Sequence, residues 1–204
     1  MKWIFQWLVP AAGVLAWALV SGCALTKDQV ALSYSAQTNV SKVGEAGKIF
    51  VTVKVNDERT DKSAVGAKIN GLGMEMAPIV ASGDVAALVQ SAIETELTDR
   101  GFELTVTNGV NIVADLSAFR NQFKVGFWSG DALAEVIMDV TVKNQSGQIV
   151  YAKLVAGQGK NANIQLASGS NAKFALDAAL KDAMDKMFGD KAFIDALLKP
   201  AHPT

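Results

Sequence analysis

Ile49-Phe50-Val51-Thr52-Val53-Lys54-Val55-Asn56 alternates apolar side chains with mostly polar ones. Side chains along a strand point to opposite faces in turn, so this spacing predicts a β-strand with Ile49, Val51, Val53 and Val55 toward a core. Downstream the period changes. Val85, Leu88, Val89, Ala92, Ile93 and Leu97 recur at helical spacing, with Ser82 as N-cap and Gly101 as stop, which predicts an amphipathic helix over 82–101 packed on the sheet. Strand patterns resume at Glu103 to Thr107, turn at Asn108-Gly109 as a tight hairpin would, and continue through Val110 to Gln122, Ala132 to Lys143 and Ile149 to Gln158. Ile112, Ala114, Leu116 and Ala118 would form one apolar face, and Ala134, Val136, Met138, Val140 and Val142 the next.

Upstream, Val30, Leu32 and Tyr34 alternate within Val30 to Ser35 as another strand would. Near the C-terminus a second long helix is expected over 169–188, carrying Leu176, Leu180, Ala183, Met184 and Met187. A short last helix over Lys191 to Lys199 carries Phe193, Ile194, Leu197 and Leu198. The order strands, helix, antiparallel strands, helix predicts an α+β fold: a mostly antiparallel β-sheet with two long helices packed on one face and a short C-terminal helix.

The N-terminus has a different character. Lys2, an apolar stretch from Trp3 to Ala18, and small residues at Ser21-Gly22 have the three parts of a signal peptide, and Val20-Ser21-Gly22-Cys23 reads as a lipobox. Cleavage between Gly22 and Cys23 would leave Cys23 as the first residue, able to carry a diacylglycerol thioether and an acylated amine, and several acyl chains hold a protein stably on a bilayer. The rival reading is an uncleaved transmembrane helix over Trp3 to Val20, which Gln6 and Pro10 interrupt and which leaves the small-residue cut site without a purpose. The expected organisation is a signal peptide at 1–22, an acylated tether at 23–28, one periplasmic α+β domain at 29–199 and a mobile tail at 200–204. Ala24 follows the cysteine rather than Asp, which in a Gram-negative cell favours the outer membrane.

Composition narrows the chemistry. Removing 22 residues from 204 leaves 182, suited to one domain. The net charge of −1 becomes −2 once Lys2 is lost, with no long run of either sign, so nucleic acid is not an expected partner. Three of the four tryptophans, Trp3, Trp7 and Trp17, lie in the leader, leaving Trp128 alone in the mature chain. Cys23 is the only cysteine, so disulfides and thiolate metal sites are not expected within the domain.

The lipobox, the alternating strand with its exit Val55-Asn56-Asp57-Glu58-Arg59-Thr60-Asp61, and the helix end Leu97-Thr98-Asp99-Arg100-Gly101-Phe102 together resemble the YajG family of small bacterial lipoproteins. The likeness runs over nearly the whole mature chain and includes, more loosely, a glycine- and aromatic-rich hairpin tip. It implies an envelope lipoprotein of undefined biochemical role and brings no catalytic residues.

The polar clusters each have a structural reading beside a functional one. Arg59 lies between Asp57 and Asp61, where a guanidinium could hold two carboxylates and lock a turn, or contact an anion. Asp115, Glu135 and Asp139 are expected on the open faces of neighbouring strands, with Lys54, Lys143 and Lys153 on similar strands, and cross-strand pairing accounts for both signs. His202, the sole histidine, lies in the tail, so no Ser-His or Cys-His apparatus is expected. Gly157-x-Gly159-Lys160 lacks the remainder of a phosphate loop and reads as a flexible strand exit.

The stretch Phe123-Lys124-Val125-Gly126-Phe127-Trp128-Ser129-Gly130 is aromatic where a hairpin connection is ordinarily polar. Phe123, Val125, Phe127 and Trp128 are therefore the candidate partner-contact tip, toward a protein or a membrane, or else fold back over the core. The expected function is a non-catalytic, lipid-anchored interaction or scaffold domain, without metal or cofactor, whose partners are the membrane and another envelope protein. The alternative is a small-molecule or lipid carrier with a pocket between helices and sheet, suggested by Met74, Met76, Met184 and Met187.

Overall fold

The computed structural model describes residues 25–126 and 128–199. Strands β1 (Asp28–Val30), β2 (Phe50–Asp57), β3 (Gly66–Ile69) and β4 (Glu75–Ala81) precede helix α1 (Val85–Asp99). Then come β5 (Glu103–Leu104), β6 (Val110–Lys124), β7 (Gly130–Lys143), β8 (Ile149–Ile164), α2 (Gly169–Gly189) and α3 (Lys191–Leu198). The α+β class is as the sequence predicts, with both long helices over one face of a sheet and a single core. The strands divide into two sheets, however, ordered β5-β2-β6-β7-β8 and β1-β4-β3.

The second sheet has no counterpart in the periodicity. β4 is largely buried or half-buried along its length, and it contains Pro78, a residue that cannot donate to a ladder. Pro78 is accommodated because β1 joins β4 only from Ile79 onward, leaving one side of β4 open at the proline. Of the expected strand over Val30 to Ser35 only Val30 lies in a strand, as the last residue of β1, since beyond it no neighbouring strand is available. The chain continues as an extended strap over the helices. Its Ser33 N–H and hydroxyl bond the two carboxylate oxygens of Asp177, both at 3.0 Å.

Three further departures have local causes. β2 pairs parallel to both β5 and β6, so Asn108-Gly109 does not join paired strands but carries the chain across the start of β2. A Cβ on Gly109 would lie 2.6 Å from the Phe50 carbonyl oxygen, which is why glycine stands there. Helix α1 begins at Val85 with Asp84, not Ser82, as its cap, the Asp84 carboxylate accepting from Ala86 N and Ala87 N. A bulge in β6 between Leu116 and Ala118 makes Ser117 an extra residue. It reverses the alternation, so Phe119 is buried in the core in place of Ala118.

The helix–sheet layer is filled by Leu116, Met138, Leu176, Leu180, Met184 and Met187, all fully buried. Met74 and Met76 belong instead to the β3–β4 hairpin, away from that layer. Gly157 and Gly159 are not a flexible exit but lie within β8, directly beneath α2. A Cβ on Gly159 would meet Ala175 O at 1.9 Å, and one on Gly157 would meet Ala179 O at 2.2 Å. Two glycines facing Ala175, Ala179 and Ala183 thus bring helix backbone onto strand backbone. Gly159→Ala should therefore destabilise the domain by about 1–3 kcal/mol or more through overpacking, whereas Gly71→Ala, which meets nothing within 4 Å, should be nearly neutral. Thermal or denaturant melts of the two variants check the difference.

Candidate functional site

Arg59 is buried at the exit of β2, where its Nε and Nη2 donate to Asp57 Oδ1 and Oδ2 at 2.9 and 2.8 Å. The fork holds the Asp57 carboxyl below its usual range, mainly through that side-chain hydrogen bond. Asp61 does not share the guanidinium by hydrogen bond. Its Oδ1 accepts from Ser63 N and Oγ instead, at 2.8 and 2.6 Å, closing a local turn.

Beside this pair a surface groove of about 680 Å³ opens between β3 and β4 on one side and the bulged part of β6 on the other. Asn121 in β6 ties the two walls through its backbone N–H, which donates to Val65 O at 2.7 Å, while its Nδ2 donates to Leu133 O of β7 at 2.9 Å. Arg59 Nη1 and Asn121 Oδ1 are buried without a protein partner, which marks them as positions for water. Acidic Asp61 and Glu75 and basic Arg59 and Arg120 line the groove together. Arg59 is engaged by Asp57 and Arg120 by Glu135 at 2.5 Å, so neither presents a free cation to an anionic ligand.

The open face of the larger sheet holds the other predicted carboxylates. Asp115 and Asp139 stand directly opposite each other in the β6–β7 register, a like-charged pair, with Asn56 Nδ2 donating to Asp115 Oδ1 at 2.7 Å. Glu135 faces Arg120 across the same pair of strands as a cross-strand ion pair. Lys153, expected to serve such pairing, turns to Asp190 at 2.8 Å. Among the described residues no His, Cys, Asp and Glu cluster is arranged to hold a metal ion.

The β6–β7 connection projects from one end of the sheet. Phe123 is half-buried against the core, whereas Val125 and Trp128 are exposed, the indole at 84%. Phe127, Gly22, Cys23 and His202 lie outside the described residues.

The most connected polar centre is one that the periodicity did not single out. Glu96 projects from α1 with no exposure to water. It accepts from Tyr34 OH at 2.5 Å, Gln37 N at 2.9 Å and Arg100 Nη1 at 2.5 Å. Arg100 also donates to Gln37 Oε1 at 2.7 Å and lies 4.5 Å from the centre of the Phe188 ring. The i, i+4 spacing of Glu96 and Arg100 was the available signal. The strap residues that complete the network are distant in sequence.

A two-sheet α+β domain with a groove between its sheets and an apolar hairpin tip is the class that this geometry defines. The model of a family described as uncharacterised lipoprotein matches residues 36–198, and the chain belongs to that family, in keeping with the resemblance drawn from its motifs. A crystallised protein of Xanthomonas campestris, of family DUF330, shares the fold at a TM-score of 0.51 and 10% identity, over 80% of this chain and 92% of its own. A minor lipoprotein of Acinetobacter baumannii is similar at 8% identity and a TM-score of 0.45, over 72% and 94% of the two chains. A hypothetical protein of Chlamydia trachomatis is similar at 10% and 0.40, over 69% and 93%. Comparison with curated proteins finds no match.

Burial pushes the Glu96 carboxyl up, but the hydrogen bonds from Tyr34, Gln37 and Arg100 more than offset it and hold the group below its ordinary value. A carboxyl whose folded value is depressed stabilises the fold fully above its unfolded value, and that contribution fades as pH falls through the folded value. The melting temperature should therefore decline on acidification below about pH 4–5. Glu96→Gln should flatten that decline while costing about 3 kcal/mol at neutral pH, because the Arg100 charge loses its buried partner. Melting curves across the acid range measure both effects.

Proposed function

We propose that this protein is a lipid-anchored envelope lipoprotein, acylated at Cys23 after removal of residues 1–22, whose domain faces the periplasm as a non-catalytic interaction or scaffold module. The outer membrane is the favoured location, because Ala24 rather than Asp follows the cysteine. The observation that carries the reading is the family match over 36–198 downstream of the lipobox Val20-Ser21-Gly22-Cys23. Among the described residues no helix is long and apolar enough to cross a membrane, so attachment in this reading falls to the N-terminus.

The interaction role draws on surfaces the helices leave open. The far face of the larger sheet interleaves half-buried Leu133 and Ile137 and exposed Leu154 with Glu135 and Asp139, a mixed apolar and charged surface suited to a protein partner in the envelope. The carrier alternative has less support, since Met184 and Met187 are packed solid in the layer where its pocket would lie. The groove beside Arg59 is polar and open to the surface instead.

Cys23→Ser tests the anchor, because a serine oxygen cannot form the thioether. Cells fed labelled fatty acid should label the native protein and leave the variant unlabelled and unprocessed. Equal labelling of the two would defeat the proposal.

A further inference from the structure

Several distant segments meet at the end of the domain where residues 25–27 lead into β1. Asp28 accepts from Gly169 N at 2.8 Å and from Lys68 Nζ at 3.0 Å, which pins the first strand to the start of α2 and to β3. The start of α2 is in turn near the tip of the β6–β7 hairpin. Ile164, at the end of β8, pairs with Gly130 at the start of β7, and Asn163 N donates to Asp131 Oδ1 at 3.2 Å. β1 also runs parallel to β4, so the turn at 70–74 that precedes β4 lies on the side from which residues 25–27 approach.

This end exposes large apolar side chains from four separate segments. Leu25 is 63% exposed, Leu72 83%, Trp128 84% and Leu166 69%, with Val125 and Met74 beside them. The opposite end also exposes apolar groups, Val106 and Ile149 among them, but β6 spans 15 residues, which at ~3.3 Å each separates the two ends by about 45 Å. Only four residues lie between Cys23 and Asp28, and the chain from one to the other reaches at most about 17 Å when fully extended. An acylated Cys23 can bring the first end to a bilayer and cannot bring the second.

We propose that the end carrying Trp128 rests on the bilayer that holds the Cys23 acyl chains, with Trp128, Leu166 and Leu25 in the headgroup layer. The inference rests on the acylation proposed above. An indole suits that layer because its ring is apolar while its N–H still finds a polar partner, and Trp is enriched at membrane interfaces for that reason. Exposed Lys27 and Lys124 at the same end are placed to meet anionic headgroups. The acyl chains supply the anchorage, and the tip sets the orientation, holding the long axis of the sheet upright with its open face and far end free for a partner in the periplasm.

The test adds purified acylated protein to preformed vesicles of phosphatidylethanolamine and phosphatidylglycerol. Flotation with the vesicles and fatty-acid label on Cys23 are checked first. If both fail, the acylation reading falls, and this inference with it. On floated protein Trp128 is the only indole. Iodide in the medium should quench it several-fold less than the indole of an anchored Trp128→Phe, Ile149→Trp variant, and headgroup-proximal brominated lipid should quench it several-fold more. An anchored protein whose Trp128 stays open to iodide would overturn the proposal while leaving the acylation intact. So would equal quenching at the two ends, which means that the domain tumbles. Shielding of Trp128 in native envelope membranes but not in vesicles would overturn it in favour of a protein partner at the tip.

Discussion

A carboxylate sealed from water must find its partners inside the protein, and Glu96 finds them on the strap and on its own helix. Tyr34 and Gln37 come from the strap, Arg100 from the last turn of α1, and Phe188 of α2 lies under the guanidinium. Each of these groups satisfies another, so the network stands or falls as a unit. Burial, and after it the hydrogen bond to Glu96 and its negative charge, raise the Tyr34 hydroxyl above its ordinary value. The route of the strap over the two helices follows from that constraint.

At its other end the strap is held by Asp28, whose carboxylate takes the first N–H of α2 and the ammonium of Lys68. The backbone bond from Gly169 is the chief reason that its carboxyl lies below the usual range. Burial pushes the other way and is overcome. Glu96 and Asp28 together fix the path of residues 28–37 along the domain.

The long strands carry a second constraint. β8 is an edge, and an unprotected edge invites pairing with other chains. Here α2 covers part of it: Asp182 accepts from Gln158 N at 2.8 Å and Lys186 donates to Ala156 O at 2.8 Å. Those bonds require α2 to lie very close to the strand, which the glycines at 157 and 159 permit. Close packing and edge protection are two results of one helix position.

The α+β class, the main helices, the long strands and the aromatic character of the tip are legible in the sequence, because periodicity and composition are written in neighbouring residues. The sequence alone misplaced Ala118 and read Asn108-Gly109 as a hairpin, since a bulge and a parallel crossover depend on what lies across the sheet. It passed over Glu96, whose burial is unremarkable in a helical pattern until Tyr34 and Gln37 arrive from about 60 residues away. Tertiary contacts split the strands into two sheets, left Arg59 with one carboxylate rather than two, and brought Trp128, Leu166 and Leu25 to one end. Those outcomes are set by contacts between distant segments, and no local pattern encodes them.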